Sequence, residues 1–217
     1  MSIADNLARI RTALPPTVTL IAVSKTRPAS IVTEALAAGQ LDFGENYAQE
    51  LRDKAELLGP GPRWHFIGSL QRNKVKYVVG RATLIHDVDS IELAEEIGKR
   101  SGNTPTAILV GVNMGEAQKS GVPAAGALAF ARAVLGVPGV SLRGLMTIPP
   151  ATEDPSGAAP FFEELAALAA AGRADGLPLH ELSMGMSHDW SIAVAHGATL
   201  VRLGTAIFGA RPLVSER

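Results

Sequence analysis

Lys25 closes the apolar run Thr19-Leu20-Ile21-Ala22-Val23, in the setting Ser24-Lys25-Thr26. An ammonium at the end of a buried strand is costly unless it is paired or neutral. Desolvation lowers a lysine's pKa and makes a free amine available for Schiff-base chemistry. The plainer alternative is a lysine that runs its stem along apolar surface and keeps its head at the rim. Ser187 stands where a helix would begin, in Gly185-Met186-Ser187-His188, and Arg202-Leu203-Gly204-Thr205 closes the last apolar run. A serine hydroxyl, a glycine that allows close backbone approach, and a threonine amide and hydroxyl suit a phosphate. Each also has a structural use, Ser187 as an N-cap and Gly204 as a turn residue. Arg202 is a fixed cation beside them, fit for a phosphate, a ring nitrogen or a structural salt bridge.

An amine, a phosphate cradle and an arginine together describe a site for pyridoxal 5′-phosphate (PLP), whose aldehyde, phosphate and pyridine nitrogen each find a partner. Competing chemistries lack their motifs. The form GxxxxGK[ST] fails near Lys119-Ser120, because Gln118 precedes the lysine. No GxGxxG follows the first strand and no GxSxG occurs. The five histidines, 65, 86, 180, 188 and 196, form no ligand spacing, so no metal is expected.

These residues need elements to position them. Apolar β-branched runs alternate with Ala/Leu/Glu-rich runs of helical period. Strands are expected at 19–23, 41–44, 64–67, 83–86, 106–112, 141–148, 182–184 and 200–203. Helices are expected at 3–14, after Pro28 to Gly39, and over 47–58, 70–79, 91–100, 124–135, 161–171 and 188–196, with a short turn at 206–208. Pro123 suits the first turn of the 124–135 helix. Near-continuous apolar strands separated by helices imply a parallel sheet covered by helices. Eight such units point to a single closed (β/α)8 TIM barrel spanning 1–217, with a doubly wound open sheet as the alternative. In a barrel the chemistry sits at the C-terminal ends of the strands. That places Lys25, Glu45-Asn46-Tyr47, His86-Asp87, Asn113, Met146-Thr147, Ser187 and Arg202 to Thr205 around one mouth, with His65 on the third strand.

The chain has 217 residues, of which 47% are hydrophobic, enough to bury a large core. With 20 basic and 21 acidic residues the net charge is -1, so nothing favours a nucleic-acid backbone as partner. Cysteine is absent, which excludes disulfides, iron–sulfur clusters, thiolate zinc sites and a cysteine nucleophile. The longest uncharged stretch, Ser101 to Gly115, is interrupted by Thr, Pro, Asn and Gly and falls short of the ~18–20 apolar residues of a membrane helix. Asp5, Arg9 and Arg11 have no apolar run before them, so no signal peptide and no membrane partner are expected, and the cytoplasm is the default location.

Six ordered blocks resemble one family along nearly the whole chain. They are Ile21 to Thr26, Phe43 to Tyr47, His65 to Lys74, Gly144 to Ile148, Leu182 to Asp189 and Val201 to Gly209. The family is the YggS/PROSC-type PLP homeostasis proteins. The resemblance implies a barrel like the N-terminal domain of alanine racemase, with PLP held as a covalent Schiff base on Lys25. It implies phosphate contacts from Ser187, Gly204 and Thr205, an arginine, Arg202, at the pyridine nitrogen, and Asn46, His65 and Met146 near the cofactor. The implied role is intracellular homeostasis and supply of PLP (vitamin B6), without established catalysis and with PLP-dependent apo-enzymes as recipients.

Two points agree with a carrier. An arginine at the ring nitrogen keeps it unprotonated, and the ring is then a weaker electron sink. Only Gly209 to Arg217 follow the barrel, so no second domain is expected to cover the mouth or supply an opposing acid or base. The alternative is a PLP-dependent amino-acid racemase or related enzyme, with Tyr47 or His65 as the group facing Lys25.

Overall fold

The computed structural model describes residues 2–116 and 120–210. The Gln118-Lys119 part of the failed phosphate-loop motif therefore lies outside the described residues. Eight parallel strands close on themselves. They are β1 (Thr19–Val23), β2 (Asp42–Glu45), β3 (Arg63–Phe66), β4 (Ala82–Val88), β5 (Thr106–Asn113), β6 (Val140–Met146), β7 (Glu181–Met186) and β8 (Leu200–Leu203). Each pairs with the next in sequence. The seam between first and last is β1 against β8, with Thr19, Leu20, Ile21 and Ala22 opposite Leu200, Val201, Arg202 and Leu203. That seam excludes the doubly wound open sheet, whose edge strands stay apart.

Around them stand the helices α1 (Ile3–Ala13), α2 (Ala29–Ala37), α3 (Ala48–Leu58), α4 (Val75–Val78), α5 (Ile91–Arg100), α6 (Ala127–Leu135), α7 (Ala159–Ala174), α8 (Trp190–Ala195) and α9 (Thr205–Phe208). Local chemistry starts and stops them. Ser2 caps α1 reciprocally with Asp5, a capping box. Pro28 stands at the start of α2, where a missing N–H costs nothing. Gly39 and Gly59 follow α2 and α3 with positive φ, the conformation that ends a helix. The helices bury periodic faces, such as Leu93, Ala94 and Ile97 of α5, against the outer side of the barrel.

Two hydrophobic cores result. The larger lies between sheet and helices and holds Leu7, Phe43, Leu51, Phe66, Ile85 and Phe162. The smaller joins Ile21, Leu84, Leu109, Met146 and Leu200. These five come from strands on all sides of the ring, so they pack across the interior. Layers of branched side chains fill such barrels, which makes the interior a core and not a pore.

Boundaries differ from expectation where the chain tightens. The helix expected over 70–79 begins as a 3₁₀ turn at Arg72–Lys74 and continues as α4. Pro123 is not a first-turn proline of α6. It pairs with Asn113 in a two-residue bridge, Val122–Pro123, and a 3₁₀ turn then leads into the helix. The sixth strand stops at Met146, before Ile148, because Thr147 turns its amide to Ser183 and its hydroxyl to the Val112 carbonyl.

Candidate functional site

One cavity of about 250 Å³ opens at the C-terminal mouth. Lys25, Asn46, Ser187, Arg202, Gly204 and Thr205 all line it, together with Val23, Ile67 and Ile148. Six of the eight residues expected at the site are thus brought together. The β1–β8 seam does this, since it sets Lys25 beside the strand end that carries Arg202 and Gly204.

Lys25 is half-buried at the rim and not enclosed by the core. Its turn is held from below. Lys54 of α3 donates to the Ser24 carbonyl, to Glu45 Oε1 and to Glu50 Oε1, each at 2.7 Å. Ser24 Oγ donates to Glu45 Oε1 at 2.7 Å. Thr26 takes a φ of 61°, uncommon for a β-branched residue, and its amide donates to Glu50 Oε1 at 2.8 Å. Strain of this kind costs about 1–3 kcal/mol and persists only where neighbours over-determine it. Ser24 and Glu45 are wholly buried and Lys54 nearly so. Removing one partner of such a pair costs about 3–5 kcal/mol. Sequence reading missed this clamp. Its only local signal was the Glu50–Lys54 pair at i,i+4, a spacing that usually marks an exposed helix face.

The cradle is built from β7, β8 and the turns that follow them. Ser187 Oγ accepts from the amides of Gly204 at 3.1 Å and Ala206 at 3.3 Å. A single oxygen therefore already sits on two converging N–H groups, as an anionic oxygen would. Gly204 has a φ of −111°, open to any residue, and a Cβ there would meet Val23 only at ordinary contact distance. The protein itself makes no demand for glycine at 204. Gly68 is different, because a Cβ would run into the Asn46 carbonyl. Glycine at 68 lets the β3 and β2 ends approach, and so seats Asn46 at the cavity.

Arg202 is 3% exposed. Its NH1 donates to Ser183 Oγ at 2.5 Å and its NH2 to the Thr147 carbonyl at 2.9 Å. No carboxylate touches it among the described residues. Burial pulls its pKa down to about 10, opposed by the charges of Asp189 and Asp87, so it remains a cation at neutral pH. His65 and Met146 do not line the cavity. His65 lies deeper in the barrel, with Nδ1 3.0 Å from His86 Nε2 and Nε2 3.0 Å from Asp42 Oδ1. Met146 belongs to the inner core and lines a neighbouring cavity of about 180 Å³ with Asp87, Asn113 and Ser120. Tyr47 is exposed at the start of α3 and faces other surface hollows.

A parallel eight-stranded barrel with an amine, a buried arginine and converging amides at its C-terminal mouth defines a class of cofactor-binding barrels. The family model of the alanine racemase N-terminal domain matches residues 1–212, and the chain belongs to that family. It is 43% identical to the pyridoxal phosphate homeostasis protein of Pseudomonas aeruginosa, over 97% of this chain and 96% of that one. It is 40% identical to the protein of the same name from Escherichia coli K12, over 96% and 97% of the two chains. The structure of PipY of Synechococcus elongatus with PLP bound superposes with a TM-score of 0.89, at 40% identity, over 96% of this chain and 100% of that one. Within the wider family the chain groups with the pyridoxal phosphate homeostasis proteins. Among the described residues no helix is long and apolar enough to cross a membrane.

The clamp beneath Lys25 has a pH signature. Burial pushes the Glu45 carboxyl up to about 7, against the opposing pull of Lys54 and Ser24. The folded state then keeps a proton that the unfolded chain releases near the ordinary value of about 4.5. Stability contributed by this group falls as pH rises from about 4.5 to about 7 and is flat above. Relative to Glu45→Gln, the wild type loses stability across that window. Urea unfolding of both proteins at pH 5, 6, 7 and 8 checks it, and parallel profiles would contradict the assignment.

Proposed function

We propose that this protein binds PLP in the mouth cavity and serves its intracellular supply and balance, as one domain spanning 1–217 that acts in the cytoplasm. The observation that carries this reading is the convergence of Lys25, Arg202, Ser187, Gly204 and Thr205 on one cavity. PLP supplies an aldehyde that condenses with amines and a pyridine ring that withdraws electrons. The residues present fit each part of it. Lys25 is the residue that would hold the aldehyde, as a Schiff base formed with loss of one water. The Gly204 and Ala206 amides and the Ser187 hydroxyl face the phosphate, with Thr205 at the rim. Asn46 lines the same cavity and would flank the ring. Arg202 would donate to the pyridine nitrogen and leave it without a proton, because a guanidinium has no proton to give up at neutral pH.

The reading is non-catalytic. Racemisation moves a proton off one face of the substrate and onto the other. Lys25 serves one face. Tyr47 and His65, the candidates the sequence offers for the opposite face, do not line the cavity; His188 does. His65 is also committed on both ring nitrogens. PLP-dependent apo-enzymes are the recipients of the cofactor, and the family names of the relatives support supply over turnover.

Three outcomes are expected. Borohydride treatment of the PLP-loaded protein fixes a pyridoxyl adduct on the peptide that contains Lys25, and Lys25→Ala abolishes both the adduct and the visible absorption band. An adduct at Lys74 instead would sink the lysine assignment. Gly204→Val leaves the fold intact, since a Cβ there meets only Val23 and at ordinary contact distance, but places a side chain in the cradle. It weakens PLP far more than pyridoxal in equilibrium dialysis, by the ~1.5–3 kcal/mol of a charge-assisted hydrogen bond. Equal losses for both ligands would remove the phosphate assignment. In deuterium oxide, α-proton exchange across a panel of D- and L-amino acids stays at least about a thousandfold below the enzyme median of ~10 s⁻¹. Turnover near that median would put the racemase reading first.

A further inference from the structure

Arg202 is the last member of a hydrogen-bonded chain that crosses the barrel interior. From Arg202 NH1 the chain runs to Ser183 Oγ at 2.5 Å, and from Ser183 Oγ to His86 Nδ1 at 2.8 Å. It continues from His86 Nε2 to His65 Nδ1 at 3.0 Å, and from His65 Nε2 to Asp42 Oδ1 at 3.0 Å. Asp42 ends the chain near the opposite mouth, where Arg63 Nε and NH2 grip it at 2.8 and 2.5 Å. Five strands contribute, β2, β3, β4, β7 and β8, and the His86–Ser183 link spans strands that are not neighbours in the sheet. All five side chains from Asp42 to Arg202 are buried.

Only one arrangement of protons satisfies every member. Burial would raise the Asp42 carboxyl, but the bonds from His65 and Arg63 outweigh it and hold it below the usual carboxylate range. It is therefore an acceptor, and His65 Nε2 carries the hydrogen. His86 is wholly buried, which keeps it well below its ordinary value and neutral, with one N–H. If that N–H were on Nδ1, Ser183 Oγ would accept from both Arg202 and His86. The serine hydrogen would then have no acceptor among the described residues, a cost of about 1–3 kcal/mol for a buried group. With both rings in the Nε2–H form, Arg202 donates to Ser183, Ser183 to His86, His86 to His65, and His65 to Asp42. Every donor points the same way, from the buried cation toward the buried carboxylate. Chains of this kind polarise one another and stand or fall as a unit.

We propose that Ser183, His86, His65 and Asp42 are positioning residues for Arg202, a one-way relay that orients its guanidinium and sets the donor it presents at the cofactor ring. The proposal rests on PLP binding in the mouth cavity. Asp189 and Asp87 supply opposing charge from a distance, while the relay fixes one edge of the guanidinium through NH1 and the Thr147 carbonyl fixes the other. The remaining N–H groups make no hydrogen bond among the described residues, and Arg202 lines the cavity.

Two measurements test this. In the ligand-free wild type, two-bond proton–nitrogen correlation spectra of the imidazoles report the tautomers directly. Both His86 and His65 should be Nε2–H, and an Nδ1–H or doubly protonated His86 would overturn the relay whether or not the protein holds PLP. The second measurement uses Asp42→Asn, near the opposite mouth, and His86→Asn, which keeps an acceptor for Ser183 and cuts the link to His65. Each should move the absorption band of bound PLP and speed its transfer to an apo-enzyme trap about five- to tenfold. The double variant should do no more than either alone, because the relay acts as a unit. Variants that bind PLP with an unchanged band and release rate, losing only thermal stability, would make the chain purely structural and overturn the proposal. A wild type that develops no band with PLP would instead remove the binding reading and, with it, the relay's role toward a cofactor.

Discussion

A guanidinium buried to 3% exposure, with no carboxylate in contact among the described residues, is the constraint on which the interior of this barrel depends. An unpaired charge in a low-dielectric interior is too costly to tolerate, so its neighbours must be polar and must be satisfied in turn. Ser183, His86, His65 and Asp42 follow from that requirement, and Arg63 terminates the series where the interior meets water. The apolar residues Ile21, Leu84, Leu109, Met146 and Leu200 fill what remains. A half-satisfied network would be worse than an apolar core, which explains why the polar residues are spread over five strands and yet form one continuous path.

The mouth handles its second buried cation in the opposite way. Lys54 meets Glu45 and Glu50 directly at 2.7 Å and spends its third donor on the Ser24 carbonyl. The direct pair is short, local and rigid, and it stiffens the turn that carries Lys25. The relay is long, and it steadies Arg202 on the far side of the same cavity. Lys25 and Arg202 are thus each held by packing behind them, on strand ends and not on long loops. That rigidity suits a site in which geometry decides which cofactor atoms find partners.

Closure of the sheet is what makes these separate devices one site. Lys25 follows β1 and Arg202 belongs to β8, and the parallel pairing of Ile21 with Arg202 sets their ends side by side. Ser187, after β7, reaches across to the amides of Gly204 and Ala206. The arrangement resembles the phosphate sites that barrels of this kind commonly build after their last two strands.

Much was legible in the residues themselves. The runs 19–23 and 200–203 are strands with the bounds their pattern implies, because a strand buried on both faces leaves a near-continuous apolar signature, which only Arg202 breaks in the second run. Lys25, Asn46, Ser187, Arg202, Gly204 and Thr205 line one cavity, since chemistry-bearing residues sit just past such runs in a parallel barrel. Other features were decided only by tertiary structure. His65 reads like a mouth residue from its place near a strand end, but side chains in a strand alternate, and the barrel turns this one inward to Asp42 and His86. Met146 joins the inner core for the same reason. Glu45, Lys54 and Asp42 look like ordinary surface charges in one dimension. Their burial depends on which elements pack over them, and the pairing of residues from different strands is set by barrel register, a long-range quantity that no local pattern encodes.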